Sequence, residues 1–122
     1  MSNVAIPSRE WKAFLESFAE RHRGWLVRLE IHDIETDENV GSRFQRLYQI
    51  ELDTEDVNNP RINVTLDMDH KLFKHVLFRP SQVTLSVSAD GADESLNIQS
   101  LNTSTTIRFR AAVLPDVVDG VA

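Results

Sequence analysis

Apolar residues recur at Trp11, Phe14, Leu15 and Phe18, spacings of three and four that place them on one side of a helix. Arg9, Glu10, Lys12, Glu16, Glu20 and Arg21 take the opposite side. The pattern predicts one amphipathic helix over about residues 9–22. Ser8, after Pro7, is its expected N-cap, and Gly24 supplies the left-handed position that ends many helices. Arg21, His22 and Arg23 fall in the last turn, where the helix dipole favours cations.

At Trp25 the period changes to two. Trp25, Val27, Leu29 and Ile31 point one way, and Leu26, Arg28, Glu30 and His32 the other, which predicts a strand with one wet face. The acidic stretch Asp33–Ser42 reads as a connection. Phe44, Arg46, Tyr48, Ile50 and Leu52 then alternate with polar residues, completing a hairpin, and Ile62, Val64, Leu66 and Met68 form a third strand beyond a polar turn at residues 53–60. Residues 72–78 are apolar on both faces apart from Lys74 and His75, and so read as a central strand. Arg79-Pro80-Ser81 breaks that run. Val83, Leu85 and Val87 alternate with small polar residues, Asp90-Gly91 is a turn pair, and Leu96, Ile98, Thr105, Ile107 and Phe109 make a last hairpin about Asn102-Thr103.

Turns at this spacing with a single helical segment imply an α+β fold. One amino-terminal helix packs on an antiparallel sheet, or a partly open barrel, of six or seven strands. The expected core is Trp11, Phe14, Phe18, Trp25, Val27, Leu29, Ile50, Val64, Leu66, Leu85, Ile98 and Phe109. Residues 1–110 form one domain, and the apolar tail 111–122 is expected to dock on the core or on a neighbouring subunit.

The length of 122 residues supports one core and no second ordinary domain. There is no cysteine, which excludes a disulfide framework, a thiol nucleophile and thiolate metal ligation. A formal charge of −6 argues against attraction to nucleic acid or to an anionic membrane. The first residues carry no basic charge and no long apolar run, so neither a signal peptide nor a membrane span is expected, and the expected location is the cytoplasm. The charge is uneven. Residues 29–56 alone carry −7, a bipolar distribution that suits a basic protein partner or a cation at the acidic segment.

Chemistry-bearing residues are sparse. Asp67, Asp69, His70 and His75 carry carboxylate and imidazole ligands suited to zinc, manganese or iron, with Asp67, Asp69 and His70 the candidate metal set. Their spacing matches no paired-histidine motif, and a polar turn beside a His75 hydrogen-bonded within its strand explains them as well. His32 beside Glu30 offers acid–base groups, or simply a solvated strand face. Arg28, Arg46, Arg108 and Arg110 would form a stripe flanked by Phe44 or Tyr48 if their strands were neighbours, or an ion-paired sheet face. Candidate binding residues are therefore His75, His70, Tyr48, Glu30 and His32. No serine elbow, glycine-rich phosphate loop or EF-hand loop is present, so no catalytic residue and no cofactor is assigned.

Several blocks together resemble a known family. Ile6-Pro7, Trp11, Phe14 and Phe18 lead into Gly24-Trp25-Leu26-Val27; Asp69-His70-x-Leu72-x-x-His75 precedes Pro80; and Leu96-x-Ile98-x-Ser100 precedes Thr106-x-x-Phe109. In this order they resemble an uncharacterised family of small bacterial proteins known only as a domain of unknown function. The resemblance spans about residues 5–110 and implies one domain of bacterial cytoplasmic origin, with no mechanism attached. The residues then support a non-enzymatic binding or protein-interaction module, with a homodimer as one form. The alternative is a small metal-dependent or acid–base enzyme centred on His75 and Asp69.

Overall fold

The helical periodicity is realised as α1, Trp11–Arg21. The computed structural model describes residues 2–113, with side chains through Arg110. Ser8 makes no cap; it opens a short 3-10 turn, Ser8–Glu10, and Glu10 holds the N-cap position of α1. The Trp11 indole N–H donates to the Ile6 carbonyl at 2.8 Å and so ties the entering chain to the helix. At the other end Gly24 adopts φ +87°, a conformation costly for any residue with a Cβ, and its N–H donates to the Leu47 carbonyl.

Among the described residues nine strands follow the expected order, with two additions. They are β1 (Ser2–Ala5), β2 (Leu26–Asp33), β3 (Glu38–Gly41), β4 (Gln45–Asp53), β5 (Arg61–Met68), β6 (Lys71–Phe78), β7 (Gln82–Val87), β8 (Asp93–Gln99) and β9 (Thr103–Val113). The expected six or seven strands are therefore too few. β1 and β3 have four exposed residues each, so neither carries the alternation that marks a half-buried strand. All pairings are antiparallel, in the order β1-β7-β8-β9-β2-β4-β5-β6, with β3 beside β2. β9 runs past the expected domain end at residue 110 to Val113, and the remainder of the anticipated tail lies outside the described residues.

β3 and β4 act as one bent strand along β2. Glu30–Asp33 pair with β3, Leu26 and Val27 pair with β4, and the chain kinks between. Ser42 bridges that kink: its N–H donates to the Leu29 carbonyl and its Oγ accepts from the Leu29 N–H, both at 2.9 Å.

One face of the sheet packs on α1. Leu15, Phe18, Val27, Ile50, Ile62, Val64, Leu96, Ile98 and Ile107 are fully buried there, and Phe14, Trp25 and Leu85 join as partly buried neighbours. His22, at the helix end, is buried among Phe18, Trp25 and Phe109, with ring centroids 4.5–4.7 Å away. Its Nδ1 donates to the Phe18 carbonyl at 2.7 Å and its Nε2 lies 3.3 Å from Asp93 of β8, so this side chain locks α1 to the sheet.

β6 corrects a further expectation. Its apolar run suggested a central strand, yet β5 is its sole strand partner among the described residues and it forms one edge of the sheet. Leu77 on it is buried, whereas Leu72, Phe73 and Phe78 are each about half exposed.

Candidate interaction surfaces

The tight turn that launches β6 is built by Asp69 and His70, both at positive φ (53° and 68°), the paired left-handed conformation of a two-residue hairpin. In that hairpin Met68 opposes Lys71, and the pairing proceeds without a shift to Arg61 opposite Phe78. Hydrogen-bonded and non-bonded pairs alternate in an antiparallel ladder. Lys71, Phe73, His75 and Leu77 therefore direct their backbone groups at β5, and Leu72, Lys74, Val76 and Phe78 direct theirs outward. The Phe78 carbonyl is taken by the Leu101 N–H at 2.9 Å, which confirms this phase. Leu72, Lys74 and Val76 are left with outward N–H and C=O groups that no described residue pairs.

A cleft of about 300 Å3 runs beside the far half of this edge, lined by His75–Phe78 and the turn Ser100–Thr103. His75, a predicted binding residue, is half-buried there, and its Nε2 is buried without a hydrogen-bond partner. The expected hydrogen bond to its neighbours is absent among the described residues. Burial alone pushes its imidazole below the ordinary histidine range.

The other predicted residues fall into separate places. Asp67, Asp69 and His70 line a second shallow pocket with Leu26, Phe44 and Arg46. Among the described residues no three His, Asp or Glu side chains are grouped so as to hold a metal ion. His75 is four strand residues beyond Lys71, about 13 Å at the usual rise, and shares no pocket with Asp69. Tyr48 sits in a bulge of β4 with the Arg23 guanidinium stacked 5.3 Å from its ring centroid.

Glu30 and His32 do share a site. They line a pocket of about 350 Å3 on the sheet face opposite α1, with Arg28, Asn39, Ser104 and Thr106. Glu30 Oε2 accepts from Arg28 at 2.7 Å and Oε1 accepts from Arg108 at 3.0 Å. Burial opposes ionisation of this carboxyl, but the hydrogen bonds from Arg108 and Arg28 outweigh it and hold Glu30 below the usual range. His32 Nδ1 meets the Asn39 Oδ1 at 2.8 Å, and its Nε2 is 3.3 Å from Asp37. The face thus contains the ion-paired arrangement that the sequence offered for Arg28 and Arg108.

The exposed edge was missed by sequence reasoning because apolar character on both faces of a strand signals burial as readily as an interface. Leu101, 58 % exposed beside Phe78, was a second available signal.

No curated protein and no solved structure matches this chain. A family model does, over residues 2–117, and it is that of an uncharacterised family, as the resemblance implied. The chain accordingly belongs to the family of unknown function DUF5335.

Proposed function

We propose that this protein is a non-enzymatic interaction module that pairs with a second copy of itself along β6. The observation that carries the reading is the combination on one edge strand of free backbone groups at Leu72, Lys74 and Val76 with half-exposed Leu72, Phe73 and Phe78. Such an edge is a template for another strand.

The side chains favour one register. An antiparallel pairing about Phe73 sets Leu72 against Lys74 of the second copy, so the ammonium stem covers an apolar side chain and the two Lys74 groups do not oppose each other. It also stays clear of Phe78, whose carbonyl is already bonded to Leu101. The two-fold arrangement closes on itself and leaves β6 no edge to propagate.

Lys74→Pro tests this directly. The Lys74 N–H points away from β5, so proline there removes no bond of the β5–β6 ladder but blocks the added strand. Light scattering coupled to size exclusion is expected to give a dimer for the native chain and a folded monomer for Lys74→Pro. A native chain that stays monomeric at all concentrations, or a Lys74→Pro variant that still dimerises, contradicts the proposal.

A further inference from the structure

The pocket on the open face of the sheet shares no residue with the edge of β6. β2 runs through its middle, with β9 on one side and β3 on the other, and the two registers fix which side chains stand together. Glu30 lies between Thr106 and Gly41, and two residues on, His32 lies between Ser104 and Asn39. Residues directly opposite one another in a ladder share a face, so these six positions form two rows of three. The patch is about 10 Å across the strands and about 7 Å along them, the footprint of one small ring. Its volume of about 350 Å3 lies at the small end of the range for ligand pockets.

Gly41 keeps this space open. Its φ is outside the left-handed region, so the backbone there does not require glycine. A Cβ at this position would meet no heavy atom within 4 Å. A side chain would therefore suit the strand and would stand beside Glu30, in the space the pocket occupies.

The groups around the space are held in place and keep hydrogen-bonding capacity. The Asn97 amide donates to the hydroxyls of Ser104 and Thr106 at 3.0 and 2.9 Å, so each hydroxyl retains its own proton to donate. Arg28 spends Nε and Nη2 on one oxygen of Glu30, which leaves Nη1 free among the described residues. The other Glu30 oxygen takes a bond from Arg108 and can accept again. Donors and acceptors thus stand side by side.

Charge narrows the ligand class. Arg28 and Glu30 cancel within the lining, and Arg108 beside them opposes a cation. Asp33, Asp37 and Glu38 surround the other end, with Asp37 3.3 Å from His32, and oppose an anion. A flat heterocycle calls for an aromatic wall, and no Phe, Tyr or Trp lines this space. We propose that the pocket binds a small uncharged polyol, a single sugar or cyclitol ring. A hydroxyl donates and accepts at once, so neighbouring ring hydroxyls can accept from Arg28 or Thr106 and donate to Glu30.

NMR titration of the full chain with D-glucose, D-galactose and myo-inositol tests the site, with D-glucuronate and adenosine as further arms. At least one of the three neutral rings is expected to give saturable amide shifts centred on Glu30, Gly41 and Thr106. Gly41→Val fills the space and should lower that affinity by roughly tenfold or more. Thr106→Val keeps the shape without the hydroxyl and should weaken binding a few-fold, and Thr106→Ser should restore it. Neither valine touches β6, so dimerisation along that edge should be unchanged. If Gly41→Val loses the native amide spectrum, Thr106→Val with its serine rescue decides. Absence of saturable shifts with all three rings, or an affinity unchanged in either folded valine variant, overturns the proposal. Tighter binding of glucuronate or adenosine than of every neutral ring overturns the assignment to an uncharged polyol.

Discussion

His75 shows how a single side chain ties burial to pH. Its imidazole is held below the ordinary value by desolvation, so the unfolded chain takes up a proton that the folded chain resists. Below about pH 6.5 the unfolded state binds more protons, and stability falls with pH until the folded imidazole itself titrates. Urea unfolding at pH 7.5 and 5.5 is expected to show this loss in the native chain and less of it in His75→Leu; equal losses would show that His75 does not contribute. Glu30 acts in a more acidic window. Its folded carboxyl titrates below its unfolded value of 4.5, so its contribution is full above that pH and disappears as pH falls through the folded value. Glu30→Gln should therefore flatten the acid limb of the stability profile.

At the scale of elements, α1 holds the fold through a narrow stripe. Leu15 and Phe18 are fully buried, and Leu15→Ala is expected to destabilise by about 2–5 kcal/mol through lost transfer and a residual cavity. Lys12→Ala, on the exposed side, should change stability by less than about 0.5 kcal/mol. Denaturant midpoints of the two variants measure the contrast. The helix and seven strands were legible because each alternates or repeats against one core. β1 and β3 were not, since a strand wet on both faces leaves no period to read. The edge position of β6 was hidden for the opposite reason, its two apolar faces. Glu30 and His32 were legible as neighbours on one wet face. The pairing of Arg28 with Arg108 was not, because strand order is a long-range property that spacing along the chain does not encode. The buried His22 was equally hidden, since a basic residue in a last helical turn has a sufficient local explanation in the dipole.

Across the whole molecule, charge is sorted by position in the fold. Much of the acidity of residues 29–56 serves the turns: Asp33 Oδ1 accepts from the N–H groups of Glu35 and Thr36, and Asp53 and Asp56 accept from Glu55 and Asn58. Both latter carboxyls are lowered, Asp53 first by its backbone hydrogen bond and Asp56 first by the Asn59 side chain. The acidic turns fall at opposite ends of the sheet, one after β2 and one after its antiparallel neighbour β4, while β6 offers an open edge. Residue-resolved hydrogen exchange as a function of protein concentration tests the central claim about that edge. At low concentration the amides of Leu72, Lys74 and Val76 should exchange rapidly while those of Phe73, His75 and Leu77 are protected by β5, and at high concentration Leu72 and Lys74 should become protected, whereas Val76, opposite the turn residue His70 of the second copy, stays fast. Exchange at Leu72 and Lys74 that is slow at every concentration, or that never slows, would contradict the account.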